Sequence, residues 1–314
     1  MREKKLVSIA TTSRRAEIAI AVARSLYRSA SMPMDAEVRL GLGFRDSRLG
    51  GTVIPLAVAR GEWDFGFANP AGLARMATAG VGPYKKKLPL RAIGVFPSWD
   101  RLVFAVRKDS GIASVDEIAQ RKIPLTVSTR AGTEKHATLY VIGQVLKAYG
   151  FSLADIENWG GTVLRVESPS DPARREHLQS GVQAVFDEGI KTWGALALAA
   201  DMKFLPVRDD VLKKMSRLGF GGATLGKNAF PAMDEDIATV DFSGWLFFCR
   251  ADLPAKIAHD MARAIDRCHE DIEADRLDKG NLTMEEFCRG GESGALTIPL
   301  HPGAKKYYRE KGYL

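Results

Sequence analysis

Two stretches decide how this chain is read: Leu102-Val103-Phe104-Ala105-Val106-Arg107-Lys108-Asp109-Ser110-Gly111 and Trp245-Leu246-Phe247-Phe248-Cys249-Arg250-Ala251-Asp252-Leu253-Pro254. Each is an apolar strand that ends in a basic residue, then an aspartate, and gives way to a helix start. A chain of 314 residues is long enough for two lobes, each with its own core. Two buried strands of this kind carry it across to a second lobe and back. The expected fold is therefore α/β and two-lobed, each lobe a mainly parallel sheet flanked by helices. Lobe I takes residues 1–102 and 250–314, lobe II takes 107–243, and the hinge strands fall at about 102–107 and 245–250.

The rest of the chain alternates short apolar runs with amphipathic ones, as such a fold requires. Strands are predicted at Leu6–Ala10, Val38–Gly41, after the turn Gly61-Glu62-Trp63-Asp64, and at Leu125–Val127, Val182–Phe186 and Lys203–Val207. Helices are predicted at about Arg14–Ala30, Val53–Ala59, from Ala71, from Ser114, at His136–Tyr149, Lys191–Ala199 and Ala255–Ala274. The stretch Gly219–Ala238 shows no usable period. Near the end Pro299, Pro302 and Gly303 are read as stopping any helix and leaving a short amphipathic turn.

Composition narrows the function. Hydrophobic residues make up 46% of the chain, and no run of ~18 apolar residues occurs, so the chain is not expected to be embedded in a membrane. The net charge of +7 is dispersed, Lys85-Lys86-Lys87 being its densest run, without the interleaved aromatics of a nucleic-acid surface. Small anionic solutes suit such a diffuse excess. Cys249, Cys268 and Cys288 lack CxxC pairing and are odd in number, which reads as reduced, buried thiols. Cys268 and His269 are taken as adjacent helix residues, not as a ligand pair. No histidine spacing suggests a metal, Gly219-Phe220-Gly221-Gly222 lacks a Walker pattern, and no nucleophile elbow is present, so no cofactor is expected. Behind Met1-Arg2-Glu3-Lys4-Lys5 the apolar run Leu6–Ala10 is too short for a secretory h-region. The chain as written is expected to be cytoplasmic, or periplasmic if it is a mature domain with an added methionine.

The last sixteen residues, from Pro299-Leu300-His301-Pro302-Gly303-Ala304 through Lys305-Lys306-Tyr307-Tyr308-Arg309-Glu310-Lys311-Gly312-Tyr313-Leu314, resemble the ending of the TAXI family of TRAP-transporter solute receptors. The likeness extends over Gly61-Glu62-Trp63-Asp64-Phe65-Gly66, Leu90-Arg91-Ala92-Ile93, Val106 to Ile112, Gly132-Thr133, Val182 to Phe186 and Arg250 to Pro254. It implies a type II periplasmic-binding-protein fold, hinge closure on a small organic anion, and a TRAP membrane permease as partner. The chain departs from the family pattern at Thr11-Thr12-Ser13-Arg14-Arg15, at Phe186-Asp187-Glu188-Gly189 and at Phe96-Pro97-Ser98-Trp99-Asp100-Arg101, all at positions where a ligand is expected.

In an open α/β sheet, ligands sit beyond the carboxyl ends of the strands. The loop Thr11, Thr12, Ser13, Arg14 and the loop Ser128, Thr129, Arg130, Thr133 each combine hydroxyls and a guanidinium with a helix start, which suits a mono- or dicarboxylate. Helix caps with surface arginines are the plainer reading of the same residues. Asn69 after the third strand, and Ser98 and Trp99 before the hinge, join the candidate set, Trp99 as a stacking surface; a turn and a packed hinge tryptophan are their alternatives. Asp187 and Glu188 follow a buried strand and either pair with arginine, accept an ammonium or hydroxyl, or act as acid and base. The second functional reading is a cytosolic enzyme resembling the metal-free decarboxylases and dehydratases of this fold, acting on an aromatic or cyclic carboxylic acid through Asp187, Glu188 and His136.

Overall fold

The computed structural model describes residues 6–10, 16–28, 37–41, 51–133, 135–274, 280–291 and 294–314. The chain divides into two compact units. The first holds residues 1–46, 51–99 and 243–314 as far as they are described; the second is built mainly of 100–242.

The first unit opens with β1 (Leu6–Ala10), α1 (Ala16–Tyr27), β2 (Glu37–Gly41), α2 (Val53–Ala59), β3 (Phe65–Ala68), α3 (Gly72–Ala79) and β4 (Leu90–Phe96). The second runs through β5 (Arg101–Arg107), α4 (Val115–Gln120), β6 (Thr126–Arg130), α5 (Ala137–Ala148), α6 (Leu153–Asn158), β7 (Thr162–Val166), α7 (Pro172–Gln179), β8 (Ala184–Asp187), α8 (Ile190–Ala199), β9 (Met202–Leu205), α9 (Asp209–Leu218), β10 (Gly222–Leu225) and β11 (Ile237–Asp241). The chain then returns to the first unit with β12 (Trp245–Arg250), α10 (Ala255–Asp266), the short ladder β13 (Glu273–Ala274) and β14 (Gly280–Asn281), α11 (Met284–Arg289) and α12 (Pro302–Glu310).

Each unit is organised on its own sheet. In the first the order is β2-β1-β3-β12-β4; in the second it is β10-β11-β5-β8-β6-β7, with β9 also on β5. The sequence reading expected mainly parallel sheets, whereas both are mixed. β1 pairs parallel with β2 and β3, and β6 with β7 and β8, while β12 and β5 run antiparallel to every strand they touch. The reason is connectivity: β5 and β12 are the first strands after each passage of the chain between units, and neither follows a βαβ crossover. Leaving the first unit at Trp99 and re-entering it at Ser243, the chain makes its passages just ahead of these two strands.

The first unit's core is aromatic. Phe247 stacks on Phe65 at 5.4 Å and meets Phe67 at 4.8 Å, while Phe96 lies 4.8 Å from Phe287. Gly94 makes room for this, since a Cβ there would collide with the Phe287 ring. α10 and α12 cover the sheet, and the Tyr308 hydroxyl donates to the Ile93 carbonyl at 2.7 Å.

Several boundaries differ from the sequence reading, each for a local reason. Pro302 and Gly303 do not stop a helix; they open α12, with proline in the first turn, where no amide partner is lost, and His301 Nδ1 accepting from Gly303 N–H at 3.1 Å. α10 ends at Asp266, whose carboxylate takes the hydroxyls of Tyr307 and Tyr313, so Cys268 and His269 lie beyond that helix, His269 in a single 3-10 turn. All three cysteines are free and buried. The patternless stretch after Gly219 contains the antiparallel pair β10 and β11. β6 continues through Ser128, Thr129 and Arg130, which the sequence reading treated as a loop. Their side chains are buried because partners on β8 and α7 meet them.

Candidate functional site

The carboxyl ends of the parallel strands collect the expected residues, one set in each unit. In the first unit, residues 11–15 follow β1 and Asn69 follows β3. β4 runs antiparallel to β12, as β3 does, so its end, with Ser98 and Trp99, lies on that same edge. Thr11, Thr12, Ser13 and Arg14 lie outside the described residues. Asn69 is exposed. Ser98 is buried and holds the backbone together: its Oγ accepts the N–H of Gly244 at 2.8 Å, tying the end of β4 to the start of β12. Trp99 is half-buried.

In the second unit the set is densely charged. β6 and β8 are parallel and adjacent, so Arg130 and Asp187 end the two strands side by side. Period-two alternation puts Ser128 and Arg130 on one face of β6, toward α7. Asp187 is fully buried, and its two carboxylate oxygens are taken by different guanidiniums. Oδ1 accepts from Arg130 Nη2 at 3.3 Å and from the Glu188 amide at 2.9 Å, and Oδ2 is paired with Arg174 Nη2. Arg130 Nη2 is also paired with Glu188 Oε1. Behind them Arg174 Nη1 donates to Ser128 Oγ at 2.8 Å. Ser128 Oγ also hydrogen-bonds His177 Nδ1, 2.8 Å away. Burial, and then the charge of Arg174, lower the His177 pKa. Thr129 donates to the Phe186 carbonyl at 2.6 Å. Trp193 packs beneath Arg174, 5.9 Å from its guanidinium carbon, and its indole N–H reaches the Glu188 carbonyl at 2.9 Å.

The entry to this unit joins the cluster. Asp100 accepts the N–H groups of Arg101 at 2.7 Å, Gly189 at 2.9 Å and Ile190 at 3.3 Å, and so caps α8 with a carboxylate at its positive end. Gly189 lies at φ +70°, a left-handed conformation that glycine adopts without penalty and that begins α8 directly after Glu188. Arg101 Nη1 donates to Asp241 Oδ1 at 2.9 Å and to the Asp100 carbonyl at 2.8 Å.

The geometry changes what each candidate can do. Arg130 is engaged with two carboxylates, and only 7% of its side chain is exposed. Asp187 is held as a structural counter-ion, which leaves it no lone pair aimed at solvent for acid–base work. Burial raises its pKa, against the lowering pull of Arg130 and Arg174. Glu188, with 14% of its side chain exposed, is the more accessible of the two carboxylates. Thr133 is exposed just past β6, where its Oγ accepts from the Lys135 amide at 3.3 Å. His136 is buried as the N-cap of α5, its Nδ1 accepting from the Thr138 N–H at 3.2 Å.

Arg174, His177 and the role of Asp100 at α8 escaped the sequence reading. A signal for Arg174 existed: it stands four residues before Leu178, and these two are the buried residues of the otherwise polar α7.

Among the described residues no helix is long and apolar enough to cross a membrane. The sequence matches the NMT1-like family over residues 20–312. Among solved structures, XAC2383 from Xanthomonas citri bound to ATP is 11% identical, with 98% of this chain and 95% of that chain covered at a TM-score of 0.50. MatC from Rhodopseudomonas palustris with bound malate is 13% identical over 100% and 99% of the chains, TM-score 0.48. The periplasmic aliphatic sulphonate binding protein SsuA from Escherichia coli is 14% identical over 98% and 84%, TM-score 0.42. At such identities the likeness concerns the fold alone. The architecture is two α/β units, each with a helix-flanked sheet.

Proposed function

Since the chain belongs to the NMT1-like family, we propose that it is a solute-binding protein that captures a small organic anion, a mono- or dicarboxylate, aromatic acids included. The solute is held at the carboxyl edge of the second unit's sheet. The observation that carries this reading is the gathering at the second unit's edge of Arg130, Thr133 and Glu188, from the ends of two adjacent parallel strands and the loop behind one of them. That is where ligands of open α/β sheets lie. The charge of +7 favours anions over cations. On this reading Thr133 contacts the solute at the second unit's edge, with Arg130 and Glu188 behind it, and Asn69 and Trp99 are the described candidates at the first unit's edge.

In its finer form, supported by the terminal run Pro299–Leu314, the closed protein is the receptor of a TRAP-type permease of the TAXI kind. A thermal-shift screen of aliphatic and aromatic carboxylates tests the proposal, with each stabilising acid followed by chromatography. An acid present at 100 times its Kd stabilises by roughly 2.7 kcal/mol, and the account expects it to be recovered unchanged. Consumption of the acid would replace capture by catalysis, and no stabilisation by any carboxylate would remove the anion reading.

A further inference from the structure

The last helix of the first unit starts on a histidine that can cap it only while neutral. Residues 299–301 lie beside β4 as a short parallel run. There the Ala92 N–H donates to the Pro299 carbonyl at 2.9 Å, and the His301 N–H donates to the Ala92 carbonyl at 2.7 Å. α12 turns off directly from that run. Its first residue, Pro302, has no N–H, so Gly303 carries the first amide of the helix. That amide donates to Nδ1 of His301 at 3.1 Å. A backbone N–H can only donate, so Nδ1 bears no proton while the contact stands. Water does not take the place of the imidazole. His301 is 2% exposed, and Gly303 is packed so closely on the Ala255 carbonyl that a Cβ would collide with it.

We propose that His301 is an acid-sensitive joint of the first unit: neutral, it caps α12 and sets the C-terminal segment against the edge of the sheet, and on protonation it gives up that cap. A proton on Nδ1 turns the contact into two donors facing each other and places an ion in a buried site. The first turn of α12 must then open, or the ring must leave its place. Farther along the helix, Tyr307 and Tyr308 stay anchored on Asp266 and on the Ile93 carbonyl, so the loss falls on the turn at 299–303. Burial lowers the His301 pKa, in accord with the geometry; the charge of Arg91 adds to that, while the Leu253 and Ala251 carbonyls pull the other way.

The charged groups on the elements around the ring are Arg91 on β4, Arg250 and Asp252 where β12 ends, Lys256 in the first turn of α10, and Lys305 on α12. Asp252 is exposed and paired with Arg250 at 3.0 Å. On later turns of α10 and α12, Asp260 and Glu310 are paired with Lys256, Arg263, His259 and Lys306. His136 caps α5 of the second unit by the same kind of contact, and burial lowers the pKa of His177 as well. The wild-type pH profile alone therefore does not isolate His301, and a comparison of profiles does.

The inference stands apart from solute capture and is tested without a ligand. The folded protein disfavours a proton that the unfolded chain binds near pH 6.5. The stability that His301 contributes is thus complete above about pH 6.5 and falls as pH drops from there toward its folded pKa. His301→Asn offers the Gly303 amide a side-chain oxygen that keeps accepting in acid. Between about pH 8 and about pH 5 the melting temperature of the wild-type protein should fall relative to that of His301→Asn, by roughly 2 °C or more. A constant offset between the two is immaterial; profiles that stay parallel over the whole range would overturn the proposal. If the variant does not fold, histidine-ring NMR of the wild-type protein decides. The His301 ring is expected with Nδ1 unprotonated and a titration midpoint below about pH 6.5, and a midpoint at or above that value would contradict it.

Discussion

The two sheets carry the same kind of edge and fill it with opposite chemistry. Behind the first unit's edge, Phe65, Phe67, Phe96 and Phe247 pack ring against ring, and the link from β4 to β12 is a serine hydroxyl and a backbone amide. Behind the second unit's edge, two guanidiniums and the Asp187 carboxylate are buried, with the half-buried Glu188 paired to one of them. An apolar edge tolerates changes of shape and is stabilised by area. A buried ion cluster is stabilised only while every partner is present, and an incomplete one is worse than none. Such a cluster adds little net stability even when every partner is present.

The contrast is broken most directly at Arg174. Arg174→Met leaves Asp187 buried with one partner fewer and should cost about 3–5 kcal/mol in a urea titration. Combining it with Asp187→Leu should restore much of that loss, because the charge to be compensated is gone. Phe247→Ala should cost a similar amount, about 3–5 kcal/mol, through the cavity left among three rings, and no second substitution of charge would rescue it. Ser98→Ala removes an acceptor from the buried Gly244 amide and should cost about 1–3 kcal/mol by the same measurement. At the far end of the scale, Arg24 and Asp271 form a pair 3.6 Å apart with both side chains more than half exposed. Arg24→Ala should change stability by no more than about 0.5 kcal/mol, and a larger effect would mean that surface charge matters here more than burial.

The same contrast explains what could be read in advance. The strands 102–107 and 245–250, the helix at Val53–Ala59 and the α/β alternation follow from local period and hydrophobicity, which a sequence displays directly. The mixed sheets were not legible, because strand direction depends on where the chain passes between units. Ser128, Thr129 and Arg130 looked like a loop because they are polar; their partners come from well downstream, Arg174 and His177 on α7 for Ser128, Phe186 and Asp187 on β8 for Thr129 and Arg130. Pro302 was read as a stop although the first turn of a helix accepts it. The candidate residues of the second unit's edge could be named from the sequence, but their pairing could not. A guanidinium that binds an anion and one locked to two carboxylates look alike in a sequence.

The central claim is that the solute is held at the carboxyl edge of the second unit's sheet, and Thr133 is the exposed residue that tests it with least risk to folding. Calorimetric titration of the acid that stabilises the protein most, against the wild type and Thr133→Ala, measures the claim directly. The account predicts that the substitution weakens binding by about 3- to 10-fold, as expected for one lost hydrogen bond, with the melting temperature unchanged. Unaltered affinity would contradict it.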